Sequence, residues 1–144
     1  MIRRRRPSYD DRIAALASAL GAATDIAAVL AVRSELLALG WEALALGYAR
    51  GRRDLREARM LRRQSELVGG QMLLSMRARG IRCEGGFRSR KTAEGRSRVS
   101  LDDLGLCWAT AARWERRARE FRAAASGEKA GGRTQSGATR RMAG

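Results

Sequence analysis

The chain has no histidine, one proline (Pro7), two cysteines (Cys83 and Cys107) and only two lysines, Lys91 and Lys129, among 30 cationic residues. Without histidine, acid–base catalysis near neutrality lacks its usual side chain. Two cysteines 24 residues apart match no zinc spacing and make no disulfide framework, so a reducing, cytoplasmic setting is the simpler reading. Aromatic residues are sparse, and Trp41, Tyr48, Phe87, Trp108 and Trp114 form no stacking ladder for single strands. Long apolar runs are missing too. Asp25, Arg33, Glu35 and Glu42 cut the apolar stretches below the roughly 18 residues that a membrane helix needs. Arg3–Arg6 precede an alanine-rich run, but Asp10 and Asp11 lie between them and argue against an export signal. Gly69-Gly70 and Gly85-Gly86 lack the Lys-Ser/Thr sequel of a phosphate-cradling loop. The adjacent carboxylates Asp10-Asp11 and Asp102-Asp103 would point about 100° apart on a helix, not at one substrate. These absences lead away from an enzyme, a metal or cofactor protein, a membrane protein or a binder of small-molecule substrates.

What the chain does hold is arginine. Thirty Lys+Arg against 15 Asp+Glu leave +15 on 144 residues. The preference for arginine over lysine is also what a GC-rich genome encodes, but the net charge has a physical consequence whichever residue carries it. It repels itself unless counterions or a polyanion neutralise it, and double-stranded DNA is the first candidate partner. The charge is blocked: residues 1–12 carry +3, 13–49 carry −2, 50–63 carry +5, 64–75 carry −1, 76–98 carry +6, 99–107 carry −2 and 108–144 carry +6. Blocks on ordered elements form binding faces, and blocks in tails act as electrostatic arms.

Periodicity predicts an all-α fold. Residues 1–10 read as a basic disordered arm, 11–79 as a helical hairpin, 80–99 as a flexible linker, 100–122 as a helix-turn-helix and 123–144 as a disordered basic tail. Asp11–Ala49 has helical character, with a new start capped by Thr24 or Asp25, and Ile26, Val29, Leu30, Arg33, Leu36, Leu37 and Leu44 fall near a 3.6-residue repeat. Gly51-Arg52-Arg53 reads as a break, followed by a helix over Asp54–Arg79 with a stripe at Met60/Leu61, Leu67/Val68 and Leu74. Small residues allow close helix approach, and Gly69-Gly70 marks a kink or such a contact. Gly80–Val99 has four glycines, many basic residues and no apolar period, with at most a brief extended piece at Ile81–Cys83.

Ser100–Phe121 carries the functional inference. Ser100 caps a short helix over Leu101–Leu104, Asp103 completes a compact capping box, and Gly105 supplies the positive-φ residue that closes it. The next helix starts near Cys107 or Trp108. Its Cys107, Ala111, Trp114, Ala118 and Phe121 share a packing face, and Ala109, Arg113, Arg116, Arg117 and Glu120 share the opposite one. Small residues at the start and arginines behind them suit a recognition helix in a major groove. Thr110, Arg113 and Arg117 are the base-contact candidates; Arg88, Arg90, Lys91, Arg96, Arg98, Arg116 and Arg119 are the phosphate-contact candidates. An amphipathic surface helix in any arginine-rich protein would share this basic outer face.

Two stretches resemble a family of small phage- and plasmid-associated bacterial proteins found beside or fused to DNA-methyltransferase or ParB-like domains. Val29–Leu73 is similar to the family's helical hairpin, in which an apolar helix ends in Tyr48-Ala49-Arg50 and an arginine-rich helix follows. Ser100–Ala118 is similar to its Leu-x-x-Leu-Gly-(Ile/Val)-Ser helix-turn-helix, through Leu101, Leu104, Gly105, Leu106, Arg113 and Trp114, with Cys107 where the pattern has serine. The resemblance spans about 64 of the 144 residues and implies DNA binding in a mobile-element context. The leading expectation is a small DNA-binding accessory or regulatory protein that reads duplex DNA with its C-terminal unit. Residues 25–79 would serve as a homo-oligomer or partner-protein module. The alternative is a non-enzymatic scaffold that binds nucleic acid without reading sequence.

Overall fold

The computed structural model describes residues 7–45, 48–82 and 98–131, and over these the chain is built from four helices with no strand. Helix α1 (Tyr9–Gly21) is started by Ser8 and Asp11. The Asp11 amide donates to the Ser8 hydroxyl at 3.1 Å, and the Ser8 amide donates to the Asp11 carboxylate at 3.1 Å. This reciprocal box satisfies two amides that the first turn leaves open. Helix α2 (Ile26–Ala45) starts on Asp25, whose carboxylate accepts from the Ala28 amide at 2.8 Å. Arg12 forks onto Glu42, with contacts of 2.5 and 3.1 Å, and so ties α1 to α2.

Helix α3 (Tyr48–Ala78) runs antiparallel to α2, as Val29 lies by Gly69, Arg33 by Glu66 and Gly40 by Leu55. It ends on Gly80 at φ +64, where the Ile81 amide donates to the Met76 carbonyl and the Gly80 amide to the Arg77 carbonyl, both at 3.0 Å. Val99 then returns to this end, its amide donating to the Ile81 carbonyl at 2.8 Å, and Arg82 and Val99 form an isolated parallel bridge. Residues 100–105 make a single turn capped at both ends. Ser100 and Asp103 exchange bonds of 2.9 and 3.1 Å, Gly105 has φ +71, and the Leu106 amide donates to the Leu101 carbonyl at 2.9 Å. Helix α4 (Trp108–Gly131) follows directly.

The core joins all four helices: Leu20 from α1, Ile26, Val29, Val32 and Leu36 from α2, Leu61 and Leu73 from α3, and Ala111 and Trp114 from α4, with Leu106 entering from the turn. Trp114 is fully buried. A β-carbon built on Gly69 would lie 2.5 Å from the Trp114 ring, and one on Gly70 would lie 2.1 Å from the Trp114 carbonyl oxygen. The glycine pair is therefore where α4 crosses α3, the close contact expected there.

Several expectations change. The expected hairpin is α2 and α3, with α1 before the anticipated new start at Asp25, and Tyr9 and Asp10 belong to α1 instead of a disordered arm. Gly51-Arg52-Arg53 is no break: one helical glycine costs about 1 kcal/mol, and the strong helix formers beside it outweigh that cost. On α3 the buried line is Ala58, Leu61, Ser65, Gly69 and Leu73, while Met60 is exposed; small residues sit where α2 and α4 approach. On α2 the buried line is Val29, Val32, Leu36, Leu39 and Ala43, which leaves Leu37 and Leu44 outside. The stretch 123–131, expected to be disordered tail, continues α4, because alanine and glutamate extend a helix once it is nucleated.

Candidate nucleic-acid interface

Two glutamates organise the arginines. Glu66 of α3 is 3% exposed and faces Arg117, which contacts it most closely, together with Arg33 and Arg62 at 3.8 Å and Arg113 at 3.9 Å. Glu115 of α4 is equally buried and takes Arg82 closely, Arg119 at 3.2 Å and Arg77 at 3.3 Å. A carboxylate at such depth is tolerable only when paired and hydrogen-bonded. Each one also holds more positive charge than it neutralises. The repulsion registers at Arg33, whose pKa is lowered by burial first and then by the neighbouring Arg62 and Arg113. The Arg33 guanidinium lies 5.7 Å from the Trp114 ring centre, so the indole face takes up part of that excess.

Above Glu66 the two helices leave an open cleft of about 230 Å³ lined by Arg59, Arg62, Arg63, Arg113 and Arg117. Five arginines thus line one cleft at the α3–α4 seam, and three of them, Arg62, Arg113 and Arg117, pair with its single carboxylate. The arrangement suits anion capture: the arginine stems are held by helices, and planar forks match phosphate oxygens in pairs.

Of the base-contact candidates, Arg113 and Arg117 meet at Glu66. Their side chains are almost equally exposed, at 45% and 42%, and Arg117 is the one drawn closer to Glu66. Thr110 is half-buried, with its hydroxyl 3.1 Å from Cys107 Sγ. That contact and the amides of the first turn hold the exposed Cys107 thiol below its usual pKa. Among the phosphate-contact candidates, Arg116 is exposed, Arg119 pairs with Glu115, and Arg98 is half-buried beside the Val99 bridge. Arg88, Arg90, Lys91 and Arg96 lie outside the described residues.

The packing face of α4 is Ala111, Trp114, Glu115 and Ala118; Cys107, just before α4, and Phe121, in its middle, were expected to share it and are exposed. The short helix expected before Gly105 is one turn, so α4 is held chiefly by α3. Reading the sequence overlooked Glu66, Glu115, Arg33, Arg59, Arg62 and Arg63. A signal existed: Glu66 is the sole acidic residue between Glu57 and Glu84, inside a basic helix, and so stands where several arginines need a counter-charge.

Among the described residues no acidic, histidine or cysteine group could hold a metal ion, and no helix is long and apolar enough to cross a membrane. No family model, curated protein or solved structure matches the chain.

Proposed function

We propose that this protein is a small DNA-binding accessory or regulatory protein of a mobile genetic element, and that it holds duplex DNA along the α3–α4 seam. The observation that carries the reading is the cleft lined by five arginines from two packed helices, three of them paired with one buried carboxylate. Phosphates would enter as further partners for the Arg62, Arg113 and Arg117 guanidiniums already held by Glu66, so little side-chain freedom is lost per contact there. Arg116 and Arg119 extend the same helix outward, and the basic stretches 83–97 and 132–144 add salt-sensitive affinity. On this reading Ala109 lets the start of α4 approach base edges, and Arg113 is the reading side chain. The resemblance of Ser100–Ala118 to a mobile-element helix-turn-helix supports the same assignment.

A second reading is favoured by one feature: Arg117 is drawn to Glu66, and a single turn precedes α4. That arrangement suits a scaffold that tracks phosphates without reading sequence. Selection of bound duplexes from a random pool separates the two. A recovered motif, lost in Arg113→Ala, is the expected result; no enrichment over repeated rounds would leave the scaffold.

A further inference from the structure

Beside the Glu66 cleft along α3, and sharing Arg59 and Arg62 with it, a second surface has a different character. Leu37, Trp41 and Leu44 recur at i, i+4 and i+7 along α2, and all three are exposed, Trp41 at 73%. Between them and α3 runs an open groove of about 250 Å³, with Leu36, Gly40, Leu55 and Ala58 in its floor. Its α3 side is cationic: Arg59 and Arg62 form the near rim, and Arg52, Arg56 and Arg63 continue it around Met60. A tryptophan this exposed, in line with two leucines, is unusual on a surface with nothing to bind.

We propose that this groove docks an acidic amphipathic helix of a partner protein. The shape favours a helix, since an apolar floor between two helical ridges accepts the apolar face of a third. The charge selects its sign: residues 50–63 carry +5, so a partner with glutamates flanking its apolar face gains on both counts, and steering quickens the encounter. The same charge disfavours the chain's own candidates. Residues 1–6, 83–97 and 132–144 carry +4, +2 and +3, and would meet the rim with like charge. A second copy would bring two basic α3 helices together. A membrane surface would need the apolar residues on a convex face, and here they border a groove.

The test uses the full chain and fluorescently labelled amphipathic peptides of about 18 residues, roughly five helical turns. One carries leucine and phenylalanine at i, i+4 and i+7 between glutamates, one has lysines in place of the glutamates, and one is the acidic peptide scrambled. Anisotropy is expected to show binding of the acidic peptide only, weakened roughly tenfold or more by Trp41→Ala. Arg59→Glu is expected to weaken the acidic peptide and admit the lysine one. Trp41→Ala should leave duplex DNA affinity unchanged, so failure here and failure of the DNA reading are separate results. Equal binding of the scrambled peptide, or no effect of Trp41→Ala, overturns the proposal. So does a dimer in light scattering that Trp41→Ala dissolves, or Trp41-dependent binding to phosphatidylserine vesicles.

Discussion

At Glu66 one carboxylate stands against Arg33, Arg62, Arg113 and Arg117, and its removal leaves like charges facing each other across a helix seam. Glu66→Gln keeps the shape and deletes the charge. Its cost should be on the order of 2 kcal/mol, below that of a fully buried pair because several of these arginines still touch water. Sulfate or phosphate should recover more of the melting temperature in this variant than in the parent, since an anion can enter where the carboxylate charge was lost. Thermal melts with and without sulfate check this; equal gains in both proteins would remove the cleft as an anion site. Asp11 sets a different residue-scale expectation. The Ser8 hydroxyl first, and the Ser8 amide second, hold its pKa below the ordinary carboxylate value. A depressed folded pKa gives stability that is complete above the unfolded value of about 4 and is lost as pH falls through the folded one. The start of α1 should therefore fray at acid pH, and Ser8→Ala should move the Asp11 midpoint upward in an NMR titration. An unmoved midpoint would show that the hydroxyl is not the cause.

Among the elements, the α3–α4 crossing is the most demanding. Gly70→Ala places a methyl 2.1 Å from a backbone oxygen, where no side-chain rotation relieves it. Overpacking should outweigh the roughly 1 kcal/mol of helix propensity gained, for a net loss of about 2 kcal/mol. Gly40→Ala is the control: its nearest neighbour is Leu55 Cδ1 at 4.0 Å, so propensity should prevail and the protein gain up to about 1 kcal/mol. Denaturant unfolding of both variants decides it, and destabilisation by the two alike would contradict the close crossing. The same contrast shows which parts of the fold were legible. Caps are local, so Asp25, the Ser100–Asp103 box and Gly105 could be read from neighbours in sequence. The buried face of α2 was legible in part: Ile26, Val29 and Leu36 are buried as expected, but leucines on every side of the helix let Leu37 and Leu44 pass for core. The break misplaced at Gly51 has the same origin: glycine signals a possible end, and only packing decides whether the helix stops. For the candidate site, the arginines of α4 were legible as one row, while the glutamate that gathers them lies 51 residues from Arg117 in the chain.

Over the whole molecule the +15 charge is not spread evenly. It gathers on one seam and in stretches outside the described residues, while Arg12 and Arg82 are spent on carboxylates of the fold. This division predicts two kinds of arginine and lysine in DNA binding. Arg113 is exposed on α4, held near Glu66 and placed behind a small-residue helix start, so Arg113→Ala should cost about 1–3 kcal/mol on a selected duplex and much less on a scrambled one. Lys91 lies in the basic stretch before Ser100, and Lys91→Ala should weaken both duplexes alike and lower the salt slope by about one charge. Fluorescence anisotropy over a salt series, with both duplexes and both variants, separates these effects. An equal loss on the two duplexes for Arg113→Ala would make it one more phosphate contact. The seam would then be a basic cradle, with affinity set by the number of guanidiniums Glu66 holds in place and not by the identity of any one of them.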